Sequence, residues 1–206
     1  MANYSGIGIM GGTFDPIHYG HLVTAETARD ILGLEKVIFV PAGKPPHKKG
    51  YRVTQAYQRL KMVELAINTN PYFEASDTEI RRPGYSYTVD TVLEFHNLYG
   101  DRKKLFFITG ADAILEILTW RDVERIFDYC SFIAATRPGV SLKGLEEFKT
   151  KLGSRAEILL LEVPALAISS TDIRSRVQQK RSIRYLLPDE VREYINEHHL
   201  YLNRDS

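Results

Sequence analysis

The chain of 206 residues has one cysteine, Cys130, and so cannot form an intrachain disulfide. A single cysteine is typical of proteins from a reducing compartment. The apolar sequence around it, YCSFIAA, favours a buried structural thiol over a nucleophile. The longest apolar segment, ILLLEVPALAI, contains Glu162 and Pro164 and is shorter than the roughly 20 residues of a membrane span. The N-terminal sequence lacks the basic start and apolar stretch of a signal peptide. We therefore expect a cytoplasmic protein without a membrane partner.

An excess of charge of one sign is also lacking. The 27 Lys and Arg residues and 26 Asp and Glu residues give a formal net charge of +1. This balance excludes the overall positive field that is typical of nucleic-acid-binding proteins, although a local basic patch stays open. A G-x-x-x-x-G-K-[ST] phosphate loop is absent from the sequence. We expect no nucleic-acid partner.

Short β-rich runs alternate with helical patterns along the chain. Most of the runs are apolar on both faces, as are strands buried in a parallel sheet. The candidate strands are GIGIM (6–10), KVIFVP (36–41), KLFFIT (104–109), CSFIAAT (130–136), EILLLEV (157–163) and, with weaker alternation, FEASDTEI (73–80). The segments between them carry apolar residues at helical spacing, such as HLVTAETARDIL followed by Gly33. This alternation predicts a Rossmann-like α/β fold, a doubly wound parallel sheet of about five or six strands with helices on both faces.

The length suits one domain over residues 1–206. Near the end of the chain helical patterns dominate, with TDIRSRVQQK and PDEVREYINEHHL joined by SIRYLL. No low-complexity linker or internal repeat separates them from the rest. We expect residues 170–206 to form a helical C-terminal part packed on the same domain. His198 and His199 are expected to lie at a solvated helix end rather than in a metal or catalytic site.

The stretch GGTFDPIHYGH follows the first candidate strand, at the position where doubly wound folds bind ligands. Gly11 and Gly12 allow a sharp turn and a close approach of a ligand to the main chain, and the helix start that follows favours an anion. The glycines of this turn do not match G-x-G-x-x-G. His18 and His21 flank a glycine, and each imidazole can donate an N–H to a phosphate oxygen. A pair of structural histidines is the alternative, and a metal site lacks a clear third ligand nearby.

The segment ISSTDIRSRV has a second set of phosphate-binding features. Ser169, Ser170 and Thr171 offer hydroxyl groups and a helix N-cap, and the helix start presents free N–H groups. Arg174 adds a guanidinium that can bind phosphate oxygens in a bidentate way. A well-capped surface helix is the alternative for this segment alone, and its combination with H-x-G-H favours the binding of a triphosphate.

With these motifs the chain resembles the H-x-G-H nucleotidyltransferase superfamily, and GGTFDPIHYGHL in particular resembles the bacterial nicotinate-nucleotide adenylyltransferases. The resemblance implies transfer of an adenylyl group from ATP to nicotinate mononucleotide, giving nicotinate adenine dinucleotide and pyrophosphate in NAD biosynthesis. Catalytic roles follow for His18, His21 and Arg174. Mg²⁺ should accompany ATP, held mainly by phosphates and water, and the sequence has no cluster of carboxylates that would make a metal site from the protein alone. The implied ATP-binding residues are Gly11, Gly12, Thr13, Phe14, His18, His21, Gly110, Asp112, Ile168, Ser169, Ser170 and Arg174.

Three further segments match the same family pattern. PAGKPPHKK is a basic loop after the second strand, RPGYSYTVDT precedes a helix, and TWRD holds the chain's single tryptophan. Their simpler interpretations are a solvated loop, a turn with an N-cap at Thr88, and a core tryptophan. The resemblance instead implies a mononucleotide pocket in which Trp120 stacks on the nicotinate. The implied residues are Lys44, His47, Lys48, Tyr87, Thr88, Trp120, Arg121 and Arg137.

Other functions on the same scaffold are alternatives. Transferases that act on phosphopantetheine, nicotinamide mononucleotide or glycerol phosphate should lack P-G-Y-S-Y-T and T-W-R-D, which this chain has. A regulatory nucleotide-binding domain is disfavoured by the intact histidines and arginine, and a tRNA synthetase by the length. The preference for the acid over the amide is left open by the physics of the residues, and so is the formation of a homo-oligomer.

Overall fold

Six parallel strands form the sheet at the centre of the molecule. The computed structural model describes residues 6–46, 53–136, 147–148, 150, 152–164 and 167–202. The strands are β1 (Gly6–Gly12), β2 (Lys36–Pro41), β3 (Phe73–Ala75), β4 (Lys104–Gly110), β5 (Ser131–Thr136) and β6 (Ile158–Glu162). They lie in the order β3-β2-β1-β4-β5-β6, and every adjacent pair is parallel. The order reverses between β1 and β4, and the crevice at the carboxyl ends of these two strands is where such folds bind ligands.

Helices connect the strands and cover the sheet. They include α1 (Tyr19–Leu32), α2 (Ala56–Ile67), α3 (Thr78–Arg81), α4 (Thr88–Tyr99), α5 (Ala111–Leu115), α6 (Val123–Tyr129), α7 (Ser170–Gln178) and α8 (Asp189–Glu197). Helix α1 ends at Gly33, which has the left-handed φ of 64° that the sequence predicts for a glycine in that place. Within the described residues, no helix is long and apolar enough to cross a membrane.

The two faces of the sheet bury separate apolar clusters, because successive residues of a strand point to opposite sides. Ile9 of β1 belongs to a cluster with α4, α5 and α6, whereas its neighbour Met10 packs with α1, α2, α7 and α8. Ile173 of α7 and Val191 of α8 are fully buried in the second cluster. Helices therefore cover both faces, as predicted, and the C-terminal helices pack on the same side as α1 and α2.

The strand predictions are confirmed apart from their ends, with one larger difference. FEASDTEI forms a strand only over Phe73–Ala75, and its second half turns into the short helix α3. The glycines of β1 also spell G-x-G-x-x-G at positions 6, 8 and 11, but all three lie within the strand. They do not form the turn after the strand that binds a dinucleotide pyrophosphate. Cys130 is buried as a free thiol, and burial raises its pKa, as expected for a structural cysteine.

Candidate active site

The turn after β1 brings His18 and His21 together at the start of α1. His18 is the N-cap residue, with extended backbone angles of φ −152° and ψ 170°, and His21 lies in the first turn of the helix. Their rings stack with centroids 3.7 Å apart and planes 27° from parallel. The predicted histidine pair therefore forms one compact unit rather than two independent side chains.

A hydrogen bond within the pair fixes the protonation pattern of His21. The backbone N–H of His18 donates to Nδ1 of His21 over 3.2 Å. A neutral imidazole has one donor and one acceptor nitrogen, so Nε2 of His21 carries the proton. Nδ1 of His18 is buried and has no hydrogen-bond partner among the described residues. The pair thus offers Nε2–H of His21 as a donor.

Both histidines are uncharged at neutral pH. Burial lowers the pKa of His18 to about 4. Burial, together with the positive charge that His18 would carry, lowers the pKa of His21 to about 3. The pair would therefore act on a phosphate through neutral N–H donors, because at pH 7 neither ring is an imidazolium.

Small and buried neighbours hold the two rings in place. A Cβ atom at Gly20 would lie 3.0 Å from Cε1 and Nδ1 of His18, so the glycine leaves room for that ring. Phe14, with a positive φ of 49°, is 2% exposed, and its ring packs edge-on against His21 with centroids 5.1 Å apart. The side chain of Phe14 therefore supports His21 from the core, and only its main chain could contact ATP.

A cavity of about 390 Å³ opens at the carboxyl ends of β1, β4 and β5. It lies at the point where the strand order reverses, between the start of α1 and the start of α7. Seven of the predicted ATP-binding residues line it, namely Gly11, His18, His21, Gly110, Ile168, Ser169 and Ser170. The fold thus brings the two predicted phosphate motifs to one space, although they are about 150 positions apart.

The start of α7 is attached directly to the turn after β1. Oγ of Ser169 accepts a hydrogen bond from the N–H of Asp172 over 3.1 Å and caps the helix. Oγ of Ser170 donates to the carbonyl of Pro16 over 2.8 Å. The predicted N-cap is therefore at Ser169, while Ser170 connects the second motif to the first.

Arg174 and three other predicted ATP-binding residues do not line this cavity. The Arg174 guanidinium donates to the carbonyl of Asp15 over 2.7 Å and to Oγ1 of Thr171 over 3.2 Å. It lines a neighbouring cavity of about 460 Å³ rather than the one beside the histidines. Asp112 is exposed at the start of α5, and the carbonyl of Thr13 accepts a hydrogen bond from Arg59. A Cβ atom at Gly12 would meet the ring of Phe14.

The C-terminal segment holds the buried carboxylate of Asp15, a contact that sequence reasoning missed. The phenol of Tyr201 donates to Oδ1 of Asp15 over 2.7 Å, and the N–H of Thr54 donates to Oδ2 over 3.2 Å. Burial raises the pKa of Tyr201, and the Asp15 charge adds to that effect. His198 and His199 are exposed, as expected, and lie at the rim of the same neighbouring cavity.

On the other side of the turn, the loop after β2 is bound to the segment before α4. Oγ of Ser86 accepts hydrogen bonds from the N–H of Gly43 over 2.9 Å and of Lys44 over 3.3 Å. The N–H of Ser86 donates to the carbonyl of Lys44 over 3.0 Å. The Lys44 ammonium lies 4.7 Å from the ring centre of Tyr85. Two predicted parts of the mononucleotide pocket are therefore held together, with Ser86 as the connecting residue.

Tyr87, Thr88, Trp120 and Arg121 were all predicted to contact the mononucleotide. The guanidinium of Arg121 lies over the Tyr87 ring at 4.7 Å, a cation–π contact between two of the predicted segments. Tyr87 is the N-cap residue of α4, so Thr88 is the first helical residue and not the cap. Trp120 is partly buried, with its ring edge-on to Phe107 at 5.8 Å.

Comparison with known proteins identifies the family. A model of the cytidylyltransferase-like family matches residues 9–176. A protein of Moorella thermoacetica named probable nicotinate-nucleotide adenylyltransferase is 62% identical over 200 residues, which are 96% of this chain and 92% of the relative. A Thermoanaerobacter protein of the same name is 55% identical, over 95% of this chain and 93% of the relative. This chain belongs to the nicotinate-nucleotide adenylyltransferases, within the cytidylyltransferase-like family.

A solved structure supports the fold of this family member. The nicotinic acid mononucleotide adenylyltransferase of Plasmodium falciparum, solved in complex with NaAD, superposes with a TM-score of 0.78. The two chains are 22% identical, and the superposition covers 96% of this chain and 97% of the other. The predicted family and the predicted Rossmann-like fold are both confirmed.

Three predicted site residues, His47, Lys48 and Arg137, lie outside the described residues. A fourth basic residue, Arg59, was not predicted, although it is 1% exposed and touches the turn after β1. Burial lowers the pKa of its guanidinium, and the negative charge of Asp15 opposes that shift. The sequence did contain a signal, because Arg59 begins the series of buried positions 59, 62, 63, 66 and 67 along α2. A charged residue at such a position is unusual, because arginine is almost never fully buried unless it is paired.

Proposed function

We propose that the protein transfers the adenylyl group of ATP to nicotinate mononucleotide, producing nicotinate adenine dinucleotide for NAD biosynthesis and releasing pyrophosphate. The names of relatives that are 62% and 55% identical over nearly the whole chain support this reaction. The structural observation behind it is the single cavity that His21 and Ser169 share at the reversal point of the sheet. One free thiol, buried at Cys130, agrees with the cytoplasmic location that we propose.

The reaction needs no covalent intermediate and no strong general base. The nucleophile is a phosphate oxygen of the mononucleotide, which is largely ionised at neutral pH because a second phosphate pKa is about 6. This oxygen forms a bond to the α-phosphorus of ATP, and the bond from that phosphorus to the bridging oxygen breaks. Pyrophosphate leaves with the electron pair. Catalysis then consists of positioning and of stabilising charge on the transferred group and the leaving group.

The residues around the cavity suit these two tasks. Nε2–H of His21 is a neutral donor for an oxygen on the α-phosphorus of the transferred adenylyl group, and His18 holds it in orientation. The start of α7 at Ser169 and Ser170 presents N–H groups to the phosphates. Arg174 is proposed for the β- and γ-phosphates, and it would exchange one of its present hydrogen bonds, to Asp15 or Thr171, for a phosphate oxygen.

The neighbouring basic and aromatic segments are proposed to bind the mononucleotide. Lys44 offers counter-charge to its phosphate, while the N–H groups at the start of α4, beginning with Thr88, suit the ring carboxylate. Trp120 offers a partly buried ring on which the nicotinate can stack, beside the Tyr87–Arg121 contact. His47, Lys48 and Arg137 keep the mononucleotide-binding roles that the resemblance implies.

Mg²⁺ is proposed to arrive with ATP, held by phosphate oxygens and water. Within the described part of the chain, no three His, Cys, Asp or Glu side chains form a group that could hold a metal ion. We expect EDTA in excess over Mg²⁺ to abolish transfer and added Mg²⁺ to restore it fully. Retained turnover in EDTA would remove the ion from the reaction.

The decisive experiment measures pyrophosphate release from each combination of two nucleotides and two acceptors. The nucleotides are ATP and CTP, and the acceptors are nicotinate mononucleotide and nicotinamide mononucleotide. We expect release with ATP and the nicotinate form, and at least tenfold lower kcat/KM in the other combinations. A preference for the amide would overturn the substrate assignment, and ATP binding without pyrophosphate release would instead support a regulatory nucleotide-binding domain.

A further inference from the structure

The guanidinium of Arg59 is buried and binds only main-chain carbonyl groups among the contacts that the structure describes. Nε donates to Thr54 over 2.8 Å, and Nη1 donates to Thr13 over 2.7 Å. Nη2 donates to Ala42 over 2.5 Å and to Gly43 over 3.3 Å. One side chain therefore satisfies carbonyls from three separate segments of the chain.

Two of these segments belong to different halves of the candidate site. Thr13 lies in the turn after β1, which leads to the histidine pair and the ATP cavity. Ala42 and Gly43 follow β2 and lead directly to Lys44, on the mononucleotide side. The N–H of Ala42 also donates to the carbonyl of Gly12 over 2.8 Å. Arg59 thus sits where the two substrate-binding halves meet.

The main chain at Gly43 is held from a second side as well. Its N–H donates to Oγ of Ser86, opposite the carbonyl that receives Arg59. A Cβ atom at this position would lie 2.2 Å from the carbonyl oxygen of Glu79, so the loop runs against α3 without room to shift. The loop before Lys44 is therefore held by contacts on both sides, and Arg59 adds a side-chain contact to the turn after β1 beside the main-chain bond from Ala42 to Gly12.

We propose that Arg59 is a positioning residue for adenylyl transfer, which fixes the separation between the turn after β1 and the loop after β2. This inference rests on the proposed function, because that separation sets the distance and angle between the attacking phosphate and the α-phosphorus. In-line transfer is sensitive to such geometry, and a misplacement of about 1 Å costs about 10²-fold in rate. Arginine is required because its planar fork carries five donors in fixed directions, whereas lysine has one ammonium group.

The test compares Arg59→Lys with Val63→Ala, a matched control on the same helix. Val63 is fully buried in the cluster under α2 and loses only packing when truncated. Melting temperatures of both variants are measured first, and activity is assayed well below the lower one. We expect kcat of Arg59→Lys to fall about 10²-fold, with KM for ATP within about twofold of wild type. Val63→Ala should keep the wild-type kcat despite its lower melting temperature.

A readout that does not depend on the reaction accompanies these rates. Hydrogen exchange should become faster in peptides that cover residues 11–15 and 41–46 of Arg59→Lys, and stay unchanged there in Val63→Ala. A fall in kcat that is equal in both variants, or unchanged exchange in both segments, would overturn the positioning role. If the wild-type protein shows no transfer activity, only the proposed function is refuted. The exchange result then still decides whether Arg59 holds the two segments.

If Arg59→Lys does not fold, Ser86→Ala replaces it. This variant removes the opposite contact on Gly43 and leaves α2 intact. We expect its kcat to fall about tenfold, with faster exchange over 41–46 only. Wild-type kcat and exchange in Ser86→Ala would contradict the requirement for a fixed loop.

Discussion

Nδ1 of His21 accepts a hydrogen bond from the backbone N–H of His18, 3.2 Å away, while the two rings stack. The bond assigns the proton of the neutral His21 ring to Nε2. The orientation of the His21 ring therefore depends on the main chain of His18.

The first prediction concerns the pH dependence of the pair. The pKa values of about 4 for His18 and about 3 for His21 lie below the ordinary 6.5, so the unfolded chain binds protons first as the pH falls. The stabilising contribution of the neutral pair is complete above pH 6.5 and is lost progressively between pH 6.5 and about 3. NMR titration of the imidazole Cε1–H signals should find both rings neutral at pH 5.5. A midpoint near 6.5 for either ring in the folded protein would contradict this prediction.

The second prediction tests the donor at Nε2 of His21. His21→Asn keeps a polar atom near the Nδ1 position but removes the donor at Nε2. The longer side chain of His21→Gln can place an amide N–H near the Nε2 position. We expect kcat to fall about 10²-fold or more in His21→Asn and His21→Ala, and less in His21→Gln. Steady-state kinetics on folded variants provides the measurement. Equal losses in the Asn and Gln variants would argue that the ring itself matters rather than its N–H.

The third prediction concerns the space beside the His18 ring. Gly20→Ala places a methyl group 3.0 Å from two ring atoms of His18, so the ring must move. Alanine is also favoured over glycine in a helix by about 1 kcal/mol, which offsets part of the strain in the folded state. We therefore expect a nearly unchanged melting temperature together with a kcat lower by about tenfold. Thr27→Ala on the same helix is the control, and matching kcat values for the two variants would refute the prediction.

The fourth prediction separates two roles of Trp120. The ring is partly buried against Phe107, yet it is also proposed to stack on the nicotinate. Trp120→Ala should raise KM for the mononucleotide about tenfold and leave KM for ATP nearly unchanged, because stacking is lost only for one substrate. Trp120→Phe should recover most of the affinity. An equal rise of both KM values would assign Trp120 to the core.

The fifth prediction concerns the buried carboxylate of Asp15. Tyr201→Phe removes the phenol that donates to Oδ1 and leaves Thr54 as the other donor. We expect the free energy of unfolding to fall by about 1–3 kcal/mol, since a hydrogen bond to a buried charged group is lost. Urea denaturation measures this change, with Tyr57→Phe at a mostly exposed position as the control. The same stability in both variants would show that the Asp15 contact contributes nothing.

Much of the fold could be predicted because most strands correspond to continuous apolar runs in the sequence. KVIFVP forms β2 over the predicted residues, since a strand covered by helices on both faces has no polar side to confuse the pattern. FEASDTEI was harder, because β3 lies at the sheet edge and has only three residues. Alternation over eight residues overestimated a strand that ends at Ala75, shortly before α3 begins at Thr78.

The candidate site was predictable where its residues are close together in the sequence. The H-x-G-H turn is local, so the proximity of its histidines follows from helix geometry. Arg59, Ser86 and Tyr201 form hydrogen bonds with residues that are distant in the chain, and no local sequence pattern indicates which residues these are. Phe14 shows the opposite case, because the motif suggested a binding residue and the fold uses the ring as support.

The hydrogen bond between Tyr201 and Asp15 joins positions that are 186 residues apart. A ribosome synthesises the turn after β1 long before it reaches the partner of its carboxylate. On a nascent chain that stops before Tyr201, the Asp15 carboxylate lacks this phenol donor, and proteolysis that removes Tyr201 would return a folded molecule to that condition. Synthesis through Tyr201 is in this sense a condition for completing the contacts of the turn after β1.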